Sequence, residues 1–422
     1  MGFKKEVLVE HKEQESTLEV ESIKEQASVS NYQSFRFEGS GKEYFRIWIV
    51  NIALTILTLG VYSAWAKVRT NRYIYANTYL NGSNFEYNAD PVKILIGRIV
   101  VVGLYVAFVI FSDYLMMHEV AGAIAFVAFL AMPWLIRQAI SFKMRNTSYR
   151  NIPFRYTGRT ADFYFFFIVH GLLNIFTFFL AFPYSYVKFK KLMIDNAHYG
   201  DRGFKFYGTT GESYSTFILV FVWSTLFIMG AFLALFVVGS MMGAIFGGEE
   251  MAALSETAEV ASSLVVEANS TYISDLNESY IYDINSSMES MEIDTEEVLG
   301  AGLVMMFGAM FLIYLPIIEW YRGFSDGYFS NFVRNFTKLG QAPLKGEIKP
   351  FKLGVIAATN MVAIIFSLGL LYPWAKIRYL RYKLENTSFA CHDYEQFEST
   401  GYEQGSTVGE EMTDFFDIDI GL

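Results

Sequence analysis

Four polar side chains lie inside apolar runs of the chain. Asn51 falls within 45–65, His170 and Asn174 within 162–184, and Asn360 within 351–374. A polar group carried into a bilayer is costly, which makes each a candidate for lining a substrate path. A neutral His170 would relay a proton or bind a polar solute, with Asn174 one turn away. The competing reading is structural, because amides and imidazoles also hydrogen-bond helix to helix in membranes. Other chemistry is absent by pattern. There is no Walker loop, no Rossmann glycine fingerprint, no His-Glu-x-x-His and no Gly-x-Ser-x-Gly. The five histidines show no metal-ligand spacing, and one cysteine cannot build a zinc site. No catalytic residue, metal or cofactor is expected, and an enzyme is the weaker expectation.

The elements that carry these residues follow from composition. Of 422 residues, 53% are apolar, 18% aromatic and only 18% charged, against about a quarter charged in soluble domains. This predicts an all-α polytopic membrane protein and disfavours a secreted disulfide scaffold, a disordered chain or a nucleic-acid binder. Acid is concentrated in two places: residues 247–298 hold thirteen Asp/Glu, the tail after Lys383 holds ten, and neither holds Lys or Arg. Residues 1–34 are polar and contain no apolar core of a signal peptide.

Seven apolar segments stand out: 45–65, 94–111, 119–136, 162–184, 214–246, 299–319 and 351–374. If all seven cross, Lys and Arg divide evenly between the two sides, against the positive-inside rule. If 45–65, 162–184 and 351–374 instead enter and leave on one face, all 33 Lys/Arg lie on or near the cytoplasmic side. The two outer connections, 112–118 and 247–298, then carry none. The preferred topology is therefore four crossings with both termini cytoplasmic. In the rejected case Asn51 and Asn360 are ordinary packing amides in true spans.

An aromatic residue ends several segments and opens a recurring unit. Trp65, Trp134, Tyr184 and Trp374 are each followed at twelve by Asn77, Asn146, Asn196 and Asn386, and then by a Phe-x-Tyr/Phe-like triplet after the first three. A degenerate copy runs from Trp320 to Asn331. Fixed spacing of this kind predicts duplication. The stretches after the aromatics are basic, with Lys67 and Arg69, Arg137, and Lys376 and Arg378. They predict interfacial helices whose cations meet lipid headgroups, each followed by a short cytoplasmic β-element. Plain anchoring by aromatic belt and charge is the simpler alternative to capture of an anionic headgroup.

The chain then divides into a disordered cytoplasmic tail 1–34, a membrane unit 35–160, a second unit 161–350, a half unit 351–394 and an acidic cytoplasmic tail 395–422. The second unit contains the outer acidic loop 247–298. Gly239, Gly243 and Gly247 form a double Gly-x-x-x-Gly, which predicts close helix contact within the chain or between copies.

Several stretches resemble the YjgN family of bacterial inner-membrane proteins, whose domain has no known function. They are Phe37-Glu38-Gly39, Leu57-Thr58-Leu59-Gly60-Val61-Tyr62, Trp65-Ala66-Lys67-Val68-Arg69, Asn77-Thr78 and Tyr372-Pro373-Trp374-Ala375-Lys376. The acidic ending Asp414-Phe415-Phe416-Asp417 is also similar. The resemblance implies a bacterial inner membrane and several helices, but no functional residues. Two functions are expected in turn. The first is transport or lipid handling along a path between broken segments with polar centres. The second is a non-transporting scaffold whose outer loop or acidic tail binds a partner. Membrane lipids are partners in either case.

Overall fold

Apolar runs become helices in the computed structural model, which describes residues 32–230, 232–233, 236–237, 240 and 295–390. Extended segments β1 (Gln33–Ser34) and β2 (Arg36–Phe37) lead into α1 (Gly41–Leu57). Ser40 starts that helix, its hydroxyl accepting the Glu43 amide at 3.2 Å. The chain then turns into α2 (Ser63–Ala76) and a hairpin of β3 (Thr78–Leu80) and β4 (Ser83–Tyr87). Asp90 and Pro91 open α3 (Pro91–Val109), which a π-turn extends to Tyr114. Next come α4 (His118–Arg145), β5 (Thr147–Tyr149) and β6 (Ile152–Tyr156). After these lie α5 (Thr160–Phe176), α6 (Phe182–Ile194), β7 (Ala197–Tyr199) and β8 (Arg202–Phe206). Helices α7 (Thr210–Gly230) and α8 (Thr295–Asn335) precede β9 (Thr337–Leu339) and β10 (Ala342–Gly346). The described chain finishes with α9 (Pro350–Phe366), α10 (Tyr372–Glu385) and β11 (Thr387–Phe389).

The strands overturn the all-α expectation. All eleven belong to one antiparallel sheet, in the order β1-β11-β10-β9-β8-β7-β6-β5-β4-β3-β2. Its two end strands are consecutive in the chain and joined by Phe35, so the sheet closes on itself through residues 33–37. The register of that segment matches β4. Gln33 and Ser34 face Phe389 and Ser388 as Ser83 and Asn84 face Leu80 and Tyr79. Arg36 and Phe37 face Tyr79 and Thr78 as Glu86 and Tyr87 face Ser148 and Thr147. Single strands of two to five residues carry little signal alone, and their partners lie up to hundreds of residues away.

Five helices, α2, α4, α6, α8 and α10, run directly into strands, and the junctions share one bond. The amides of Glu38, Asn88, Thr157, Tyr207 and Glu347 donate to the carbonyls of Asn77, Asn146, Asn196, Phe336 and Asn386 at 2.8–3.0 Å. Where the junction residue is Asn, its side-chain amide also caps the helix by donating to the carbonyl four residues back. The fourth junction corrects the expected copy from Trp320 to Asn331. The sheet register places Phe336 there, and Asn331 instead exchanges two bonds with Ile348.

Segments 45–65, 162–184 and 351–374 are each two helices that reverse at a tight turn. Leu59 and Gly60, Phe178 and Phe179, and Leu368 and Gly369 take positive φ at the three turns. A hydroxyl locks each one. Thr58, Thr177 and Ser367 donate to a carbonyl three or four residues back and accept the amide four residues on. The turn tips are apolar and bare, with Leu59, Phe178 and Leu368 exposed by 95%, 88% and 93%. Three described helices are long and apolar enough to cross a membrane: Pro91–Tyr114, His118–Arg145 and Thr210–Gly230. The fourth expected span, 299–319, lies within α8.

The sheet and the three short hairpins belong to one compact unit, and the described residues of 221–318 belong to a second. The loop 247–298, most of the N-terminal tail, the acidic C-terminal tail and Gly239, Gly243 and Gly247 fall largely or wholly outside the described residues.

Candidate functional site

Alternation along the strands turns one residue in two toward the inside of the ring. Ten of these line a cavity of about 280 Å³: Phe35, Leu80, Phe85, Tyr149, Phe154, Tyr199, Phe204, Leu339, Leu344 and Phe389. Rings follow one another around the wall, with centroids 6.0 Å apart for Phe35–Phe85, 4.7 Å for Phe85–Tyr149 and 5.0 Å for Phe154–Tyr199. The tyrosine hydroxyls are tied into the sheet and away from the cavity: Tyr149 donates to the Leu80 carbonyl and Tyr199 to the Tyr149 carbonyl. The remaining lining comes from the ends of α2, α4, α8 and α10 and the first residues of three strands. There Thr78, Thr147 and Thr387 direct their hydroxyls back to their own helices. Two cations also lie at this helical end, Lys143 and Arg334, each in the last turn of its helix. Cations there also offset the negative end of the helix dipole.

The four expected path residues, Asn51, His170, Asn174 and Asn360, are not in the lining of this cavity. Asn51 is buried and donates to the Ala66 carbonyl at 3.3 Å, tying α1 to α2. Asn360 is buried, donates to the Ala375 carbonyl at 2.9 Å and accepts from Arg378 at 3.0 Å, tying α9 to α10. Between α5 and α6, Ser185 lies 3.3 Å from His170 Nδ1 and 3.3 Å from Asn174 Oδ1. Phe166 and Tyr184 flank the imidazole. Each polar centre thus joins the two arms of its own hairpin fifteen or fewer residues away, and none lines the cavity.

The aromatic and basic residues are distributed likewise. Trp65 stacks near Tyr62, and Arg69 is exposed while Lys67 is half-buried. Half-buried Trp134 lies on α4, where Arg137 donates to the Gly158 carbonyl at 3.0 Å. Lys188 covers Tyr184, Arg378 covers Trp374 and Lys376 covers Tyr44. Where α6 passes into the β7–β8 hairpin, two groups are shifted in pKa. Burial, opposed by the Phe206 amide bond and by Lys205 and Lys191, raises the Asp195 carboxyl. Burial lowers the His198 imidazole, partly offset by its bond to Asn196 and reinforced by Arg155 and Lys205.

The cavity lining was the part missed in the sequence. The Phe-x-Tyr/Phe triplets were its one visible signal, but only the ring shows that their first residues converge. Among the described residues, no cluster of His, Cys, Asp and Glu could hold a metal ion.

Comparison with known proteins adds a family. Residues 32–415 match the family described as "Bacterial protein of unknown function (DUF898)". The chain is 43% identical over 74 residues to "Inner membrane protein YjgN" of Escherichia coli O157:H7, covering 18% of this chain and 19% of that one. It is 42% identical over 74 residues to the protein of that name in Escherichia coli K12, with the same 18% and 19% coverage. In Salmonella typhimurium the identity is 32% over 133 residues, covering 31% of this chain and 33% of the relative. The matches thus span about a fifth to a third of these relatives. No solved structure matches.

Proposed function

The chain belongs to the DUF898 family of bacterial proteins, the same family as the YjgN proteins, and from that premise we propose that it is an integral inner-membrane protein that handles lipids. The sheet ring is its binding element. Its lumen takes one alkyl chain, and Lys143 and Arg334 meet the anionic end of the same molecule. The observation that carries this reading is the lining itself: aromatic and aliphatic side chains all round, with two cations at one end only. A volume of about 280 Å³ falls near the small end of ligand sites. A polar solute would leave its hydrogen bonds unmet against this wall, at a cost of about 1–3 kcal/mol per group. Apolar chains have no such cost and gain about 0.8 kcal/mol per buried methylene.

The five junction bonds and the matching strand registers support a further part of the proposal, that the ring is built from five copies of one helix–hairpin unit. The N-terminal strand then supplies the second strand of the last copy.

A fluorescent fatty acid titrated onto the detergent-purified protein tests the function. At the registers of Leu80, Leu339 and Leu344 most other positions around the ring carry Phe or Tyr. Replacing all three leucines with Phe therefore fills the lumen with residues its strands already accept. Binding should fall about tenfold or more, a loss of about 1.4 kcal/mol or more. Exchanging Lys143 and Arg334 for Gln should weaken a fatty acid more than the matching alcohol. Unchanged binding to the filled ring would remove the lumen as the site.

A further inference from the structure

A second cavity, of about 360 Å³, lies where the first and last helical hairpins meet. Its wall includes Gly41 at the start of α1 and Trp374, Arg378, Arg381 and Tyr382 along α10. Gly41 lets the two helices touch, since a Cβ there would come within 3.1 Å of the Trp374 backbone. Arg378 lies 5.2 Å from the Trp374 ring centre and donates to Thr359 at 2.8 Å and Asn360 at 3.0 Å. Arg381 donates to the Gly39 carbonyl at 2.7 Å. A guanidinium has five N–H donors, so these bonds orient both side chains and leave donors for a ligand. The one acid in the wall, Glu385, is 4.0 Å from Arg381, so two cations face one carboxylate.

The depth of the site is set by α10. Its leading turn is bare hydrocarbon, with Phe366 exposed by 86% and Leu368 by 93%. From Tyr372 to Arg381 is nine residues, about 13 Å of helix. That is close to half of a ~30 Å hydrocarbon core. With the turn at the bilayer centre, Arg381 comes near the edge of the hydrocarbon core, and its long side chain and that of Arg378, one turn deeper, reach out toward the lipid phosphates, while Trp374 lies deeper in the core.

We propose that this cavity binds the phosphate of an anionic phospholipid, whose acyl chains run along the exposed turn. The planar fork of arginine suits a phosphate, and the tryptophan face keeps one fork in place. The site is separate from the lumen and requires only that the turn enter the membrane.

Native mass spectrometry of the full chain in detergent, titrated with phosphatidylglycerol or phosphatidylcholine, tests the proposal. The unaltered protein should retain phosphatidylglycerol about tenfold better, a difference of about 1.4 kcal/mol. Arg381→Gln, alone and with Arg378→Gln, should erase that preference, whereas Arg202→Gln on the exposed start of β8 should not. If the Arg378 variant fails to fold, phosphatidylglycerol with a photoreactive headgroup gives the answer on unaltered protein. Adducts should map to α10 and the start of α1. Equal preference in the Arg381 variant, or adducts confined to other helices, would overturn the site. Displacement by millimolar inorganic phosphate would assign it to free phosphate and overturn the lipid.

Discussion

At the scale of residues, polarity inside an apolar run has two meanings, a path or a clasp, and the bonds these residues make support the clasp. Asn51 and Asn360 each bond a backbone carbonyl of the facing helix, fifteen residues on, across their own turn. Such a bond compensates burial of the amide and holds the hairpin shut. Asn360 makes the shorter contact and also accepts from Arg378. Asn360→Ala should therefore cost about 1–3 kcal/mol, and Asn51→Ala less, read as falls in detergent melting temperature. An equal loss at both sites would contradict the clasp account. His198 offers a pH signature outside the membrane helices. Its imidazole pKa is lowered by burial, so the folded protein binds fewer protons than the unfolded chain just below the ordinary value near 6.5. Stability should rise with pH up to about 6.5 and fall on acidification below it. His198→Gln should flatten that slope in melts taken across the range. These residue types were legible in the sequence as polar centres. Their roles were not, because the same spacing serves a path or a clasp.

At the scale of elements, the hydrophobic pattern marked the apolar helices but not the sheet. A strand such as Thr78–Leu80 has one alternation at most, too little to distinguish it from a turn. What makes it a strand is its neighbours, and those are supplied by hairpins far along the chain. The Phe-x-Tyr/Phe triplets were legible as short strands in isolation, whereas their union into a ring depends on non-local pairing. Asn331 shows the converse error. It stood near the expected spacing from Trp320, yet the register passes to Phe336. Residues 33–37 are the keystone because they supply both end strands, pairing with β11 on one side and β3 on the other. Phe37 is 3% exposed and packs with Tyr44 and Ile377 beneath that closure. Phe37→Ala should cost about 3–5 kcal/mol. Hydrogen exchange should then rise first in β3 and β11, the two strands that flank the segment. Uniform loss of protection across all strands would mean that closure is not a local event.

At the scale of the molecule, the proposed membrane placement divides the chain between two solvents, the sheet in water and the bare turns in lipid. Helices Pro91–Tyr114, His118–Arg145 and Thr210–Gly230 have the length to cross a ~30 Å core. The three short hairpins do not: α1, α5 and α9 have 17 residues each, about 25 Å of helix before the chain reverses. Their backbone groups at the turns are satisfied by hydroxyls and neighbouring carbonyls, which is the condition for irregular backbone near hydrocarbon. All five helix–strand junctions lead into one ring, so on this placement the strands are expected on one side of the membrane. The 33 Lys and Arg, none of them in 112–118 or 247–298, argue that this side is the cytoplasm. Single cysteines in a Cys391→Ser background test the arrangement in intact cells. Asp113→Cys, in the exposed turn after α3, should react with an impermeant maleimide from outside. Glu86→Cys on β4 and Asp201→Cys between β7 and β8 should react only after permeabilisation. Labelling of Glu86→Cys or Asp201→Cys from outside would place the ring in the periplasm and turn the whole charge argument over. Labelling of only one of the two would break the premise that the ring is a single body on one face.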